Sequence, residues 1–190
     1  MKNKICWMSF GKKKDRITIV HMNKPIRHGL VGMVVSKLFD VKIPLIIDEK
    51  ALDDSGAVIA SLAVDKDRTL PRIYMEREVF YGFKRGEPMA RMTVFHELGH
   101  LVHGDLSSEF ISKDYDEERK SIAETGDVLK VELDADAFAA EYLGTETVVA
   151  GLVALKKKII DEYGYDEIPL KEIEQRIKRL EMKKEKSEEI

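Results

Sequence analysis

The pentapeptide His96-Glu97-Leu98-Gly99-His100 constrains this chain more than any other stretch of it. On an α-helix, residues four apart lie about 40° apart around the axis and one turn along it, so His96 and His100 share a face. The motif therefore needs a helix. Two imidazoles so placed can bind one zinc ion. Glu97 points to the side of the pair, where it can take a proton from a metal-bound water.

The flanking residues supply that helix. Met92, Phe95, Leu98, Leu101 and Val102 are apolar within 91–102. Pro88 stands where a first-turn residue would, and Gly104 just past the last apolar position. The segment reads as a capped amphipathic helix. A third histidine six residues beyond the second would mark a metzincin; Leu106 occupies that position and excludes the form. His103 lies seven residues from His96 on a similar face. Its expected role is to stabilise the helix C-terminus as a cation; the alternative is that it reaches the metal cleft.

A catalytic zinc takes three protein ligands and leaves a fourth position for water. Downstream, Val131-Glu132-Leu133-Asp134-Ala135-Asp136-Ala137-Phe138-Ala139-Ala140 reads as a second helix ending near Gly144. Glu132, Asp136 and Ala139 fall on one face. Ala135, Ala139 and Ala140 are small enough for another helix to approach closely. Glu132 suits the third ligand. Asp136, one turn on, suits a carboxylate that holds a ligand histidine by its second ring nitrogen. Glu124, Asp134 and His103 are the next candidates for the third position.

Phe95-His96-Glu97-Leu98-Gly99-His100, followed by Glu132-x-x-Ala135-Asp136-x-Phe138-Ala139-Ala140, resembles the ImmA/IrrE family of metallopeptidases. More broadly it is similar to zinc peptidases that use a glutamate as third ligand. Pro71-Arg72-Ile73-Tyr74-Met75 and then Gly86-Glu87-Pro88 stand where that family has a strand and a polar turn before the motif helix. The resemblance covers roughly residues 40 to 145. It implies His96, His100 and Glu132 as zinc ligands and Glu97 as catalytic base. It also implies a protein substrate, of the kind represented by a DNA-bound helix-turn-helix repressor or regulator of a phage or mobile element. Family members often continue past Phe-Ala-Ala with Leu-Leu-Met-Pro, whereas this chain has Glu141-Tyr142-Leu143-Gly144-Thr145, which leaves subfamily and substrate open.

Composition bounds the alternatives. The 190 residues fit one domain with a helical appendage, and a hydrophobic share of 44% is ordinary for a globular protein. A net charge of −3 implies no general attraction to nucleic acid. Lys12-Lys13-Lys14 is short and adjoins Asp15, as a solvated turn would. Cys6 is the sole cysteine, which excludes an internal disulfide and argues against a cysteine-based metal site. Met1 to Phe10 lacks a long apolar stretch, so no signal peptide is expected. Val148 to Leu155 is too short to span a membrane. The expected compartment is the cytoplasm.

The expected fold is α+β and, with the resemblance, zincin-like. About three strands would make a small sheet beside the active-site helix, ahead of a mostly helical C-terminal half. Strands are predicted at 16–22, 43–47, 57–64 and 72–75, with an acidic turn at Asp53-Asp54-Ser55-Gly56. Leu30 to Phe39 reads as an apolar helix, and His21 and His28 beside it as structural or exposed. Ile73 to Met75 is the candidate edge strand for pairing with a substrate backbone. Residues 105–127 read as a polar loop that could cover the cleft, and Tyr115 or Tyr142 could stabilise an oxyanion. Thr145 to Tyr163 reads as a helix stopped by Gly164.

Pro169 opens the last helix, whose Leu170, Ile173, Ile177 and Leu180 form a narrow apolar stripe. Residues 181–190 are nearly all charged and read as frayed. The expected division is a metallopeptidase domain over 1–165 and a C-terminal helix with charged tail over 166–190. Since 1–40 offers only one helix, direct DNA binding is not expected. The expected activity is zinc-dependent peptide hydrolysis. Its rivals are a non-hydrolytic zinc-binding sensor or partner-binding protein, and a peptidase-like toxin or effector with the same chemistry on another substrate.

Overall fold

The computed structural model describes residues 4–12, 15–39, 41–48, 52, 60–64, 71–104, 130–163 and 167–188. Within them a mixed sheet of six strands packs against five α-helices. The strands are β1 (Ile5–Phe10), β2 (Ile17–Met22), β3 (Leu30–Ser36), β4 (Ile43–Ile47), β5 (Ala60–Val64) and β6 (Pro71–Met75). Their spatial order is β1-β2-β3-β4-β6-β5. All neighbours run antiparallel except β4 and β6, which are parallel. The helices are α1 (Arg77–Arg85), α2 (Pro88–His103), α3 (Lys130–Leu143), α4 (Thr145–Tyr163) and α5 (Glu167–Glu188).

The α+β class holds, but the sheet is twice the expected size. Three strands account for the difference: the one predicted at 16–22 joins the sheet as β2, and two others were not predicted as strands. Leu30–Ser36 is β3 and not the predicted helix. Its apolar residues do not alternate cleanly because the register with β4 shifts between Leu30 and Gly32. Such a bulge breaks the period of two that identifies a strand. β1 had no strand assignment. It lies on one edge of the sheet with Ile5 61% and Trp7 72% exposed, so apolar residues occupy both of its faces and leave no polar alternation to read.

The inner face of the sheet carries Ile17, Ile19, Val34, Ile43, Leu45, Ile73 and Met75, all buried. Phe80 and Phe83 of α1, Met92, Phe95 and Leu98 of α2, and Leu152 of α4 complete the core. Phe95 sits near its centre, its ring 4.9 Å from Phe10 and 5.7 Å from Tyr142. Truncating such a residue to alanine costs about 3–5 kcal/mol.

Helix α2 starts with Pro88 at its first turn and ends at Gly104, whose φ of 79° closes it in the left-handed region. It is more than amphipathic. Met92 through His96 are buried without a break, because α1, α3, α4 and the β5–β6 end of the sheet surround it. Helix α5 buries Leu170, Ile173 and Leu180, as the stripe requires. It continues to Glu188 through residues read as frayed, and Lys184 there pairs with Glu146 at 2.8 Å. The predicted acidic turn at 53–56, the loop at 105–127 and the stop at Gly164 lie outside the described residues. Among the described residues, no helix is long and apolar enough to cross a membrane.

Candidate metal centre

Helix α2 presents His96 and His100 from successive turns, and α3 lies against it to present Glu132. The two helices touch at Gly99. A Cβ there would stand 2.7 Å from Ala135 Cα and 2.9 Å from its carbonyl oxygen, so only glycine permits this spacing. The small residues expected to allow close approach do so, with Ala135 at the contact.

The three candidate ligands converge. Nε2 of His96 lies 3.0 Å from Nε2 of His100 and 3.0 Å from Oε2 of Glu132. Nε2 of His100 lies 3.3 Å from Oε1 of Glu132. One ligand atom from each of these residues falls within 4.8 Å of the others. Among the described residues this is the group that could hold a metal ion.

The residues behind the ligands fix their orientation. Nδ1 of His96 lies 2.8 Å from Oδ1 of Asp136, the role expected of that carboxylate. Asp136 is fully buried, and Arg176 of α5 grips it from the far side. Nε of Arg176 donates to Oδ2 and Nη2 to Oδ1, each at 2.7 Å. Nη1 donates to Glu172 at 3.1 Å and lies 3.5 Å from Oε2 of Glu132. Nη2 and His96 Nδ1 stand 3.2 Å apart because both aim at the same carboxylate oxygen.

Sequence reasoning missed Arg176 and Glu172. One signal was present: Arg176 falls three residues after Ile173 and four before Leu180, on the same face as that apolar stripe. A charge placed there is buried and requires a partner.

Glu97 occupies the other side of the pair. Its Oε2 accepts the backbone N–H of Leu62 at 2.8 Å. Leu62 belongs to β5, which among the described residues is the outermost strand on this side of the sheet. The edge predicted at Ile73–Met75 is therefore misplaced: β6 is internal, flanked by β4 and β5. The strand that covers it was itself predicted, but nothing local told which of the two lay outside.

The electrostatics suit a cation. Burial and the Arg176 charge both oppose an imidazolium at His96, yet Glu132 and Asp136 outweigh them and hold its pKa at about 10. Burial works against a charged Glu132, but His96, His100 and Arg176 hold it well below the ordinary carboxylate range. Asp136 is lowered despite its burial, chiefly by Arg176. The same charges that hold a proton on His96 would favour a metal cation between these side chains. Burial raises the carboxyl of Glu97, with the histidines and the Leu62 N–H offsetting part of the rise. A raised carboxylate is the better general base near neutral pH.

The remaining candidates lie elsewhere. His103 is exposed at the end of α2 and borders a separate cleft of about 630 Å³ lined also by Val102, Asp134 and Tyr142. Asp134 pairs with Lys130 at 3.7 Å. Tyr142 packs against Phe95 and Phe138. His28 is exposed and His21 is buried beside Phe80. Glu124 and Tyr115 lie outside the described residues. Comparison with protein-family models, with curated proteins and with solved structures finds no match to this chain.

Proposed function

We propose that this chain is a zinc-dependent endopeptidase that cleaves a protein substrate. The observation that carries the proposal is the convergence of His96, His100 and Glu132 with Glu97 beside them. Two imidazoles and one carboxylate form the donor set of a hydrolytic zinc site, and the adjoining glutamate supplies its base. The donors fit the ion chemically as well. Because Asp136 takes Nδ1 of His96, that ring's Nε2 is the nitrogen left to face Glu132 and His100.

When bound, zinc supplies Lewis-acid polarisation of the scissile carbonyl and makes water acidic enough to attack near neutral pH. Glu97 accepts the proton of the attacking water and passes it to the leaving amine. The part-buried setting of Glu97 favours that transfer. Among the described residues β5 is an edge strand beside Glu97, where an extended peptide could add as a further strand. Such pairing binds backbone and reads little sequence, which suits a protein substrate.

The resemblance to ImmA/IrrE metallopeptidases points to a DNA-bound repressor or regulator of a phage or mobile element as that substrate. Glu97→Gln tests the mechanism: the variant should keep its zinc and lose about 10²–10⁴-fold in turnover of a co-encoded helix-turn-helix regulator. Full activity in Glu97→Gln would refute the assigned base. Cleavage of some other protein, again dependent on Glu97, would identify an effector. Zinc binding with no cleavage by the parent would leave a zinc-dependent sensor or binding protein.

A further inference from the structure

Arg176 lies in the buried stripe of α5, only 6% exposed, and each of its guanidinium nitrogens has a partner at the metal centre. We propose that Arg176 is a positioning residue of that centre, whose fork on Asp136 holds His96 in the orientation that tight metal binding needs. The proposal rests on His96, His100 and Glu132 being metal ligands.

A guanidinium has donors and no acceptor. Both oxygens of Asp136 face its N–H groups, at 2.7 Å each. These two parallel bonds fix the plane of the carboxylate as well as its place. Oδ1 is thereby held as an acceptor 2.8 Å from Nδ1 of His96. Nδ1 must be the donor, so Nε2 is the nitrogen left to take a metal in place of its proton. Arg176 thus sets which nitrogen of His96 can ligate, although it touches that nitrogen nowhere.

The third corner of the fork is also held. Nη1 donates to Glu172, one turn earlier on α5, and stands 3.5 Å from Glu132. A guanidinium tied at three corners cannot pivot away from Asp136. Its depth is set by Leu170, Ile173 and Leu180, which are buried along the same face of α5. Lysine at this position would bring a charge but no fork.

The test measures metal affinity and fold separately on the full chain. Zinc affinity is read by competition with a chromogenic chelator, the site's symmetry by the visible absorption of bound Co(II), and the fold by thermal melting. Arg176→Ala should bind zinc about 10–100-fold more weakly, the usual cost of losing a group that orients a ligand. Free guanidinium ion at non-denaturing concentration should restore part of the loss and return the Co(II) spectrum toward the parent's. Arg176→Lys should fall between the two, and it carries the same comparison if the alanine variant does not fold.

Leu180→Ala loosens α5 without touching the fork; it should melt earlier yet keep parental zinc affinity when folded. Parental affinity in Arg176→Ala would overturn the proposal. So would a loss that guanidinium does not rescue and that Leu180→Ala shares. A parent that binds neither zinc nor Co(II) would instead overturn the metal centre on which the proposal rests.

Discussion

Two histidines of this chain are buried to nearly the same degree, His96 at 8% and His21 at 5% exposed, and their chemistry runs in opposite directions. His21 projects from β2 toward Phe80, with ring centroids 6.3 Å apart. It meets burial and the Lys84 ammonium, and both lower its pKa. Its Nδ1 has no partner in hydrogen-bonding geometry among the described residues. His96 also meets burial and a cation, Arg176, yet is raised to about 10, because two carboxylates lie within 3.0 Å of its ring nitrogens. Burial alone makes a neutral, inert histidine. Burial with carboxylates makes a site that seeks a cation, whether a proton or a metal.

The largest test of this contrast removes the carboxylate. Asp136→Ala would leave Arg176 buried without its main partner, and urea denaturation should show a loss of about 3–5 kcal/mol. A loss no greater than that of an ordinary surface change would mean the network is dispensable. Next comes the spacing of the two ligand-bearing helices. Gly99→Ala drives a methyl into Ala135, and should cost about 1–3 kcal/mol of stability. It should also weaken zinc binding, since it pries His96 and His100 from Glu132. Undiminished zinc affinity in this variant would show that the spacing is not what assembles the ligands.

The third test concerns the proton on His96. In the metal-free protein a pKa raised from 6.5 to about 10 contributes stability fully present below 6.5 and lost as pH rises through about 10. Between those values zinc must displace that proton. Affinity should rise at least about tenfold per pH unit across this window, about 1.4 kcal/mol per pH unit for each proton released, and more steeply where His100 also gives one up. Calorimetry at pH 8 in buffers of different ionisation enthalpy measures the release, and none at all would place His96 among ordinary histidines.

The smallest effect belongs to His21. Its folded pKa lies below 6.5, so the unfolded chain binds the proton first and stability falls as pH drops below 6.5. His21→Phe should flatten that decline in the metal-free protein between pH 7 and 5. A variant with the same acid sensitivity as the parent would assign it to other groups.

Much of this centre was legible in the chain because its signals are local. His96, Glu97 and His100 lie within one helical turn, and Pro88 and Gly104 mark the ends of that helix. Glu132 and Asp136 share a face of a second helix. Arg176 was not legible as part of the centre, because its partners lie 40 and 80 residues away and only packing brings α5 to them. The fold divides the same way. Short β-branched runs, such as β2 with Ile17, Thr18, Ile19 and Val20, were readable. The bulged β3 and the edge strand β1 were not, because their patterns depend on neighbours. Which strand forms the far edge is likewise a property of the assembled sheet.

The bond from Leu62 to Glu97 has a consequence for how such a site is switched on. Helix α2 is hemmed in by backbone at two points: Gly99 against Ala135, and Gly151 of α4 against the Pro88 carbonyl, where a Cβ would stand 2.9 Å away. A helix wedged on both sides cannot swing out to meet a peptide. Under the proposed function, a strand arriving along β5 has to compete for the Leu62 N–H that Glu97 now holds. Under that reading the bond would be a latch on Glu97, released by the arriving strand itself.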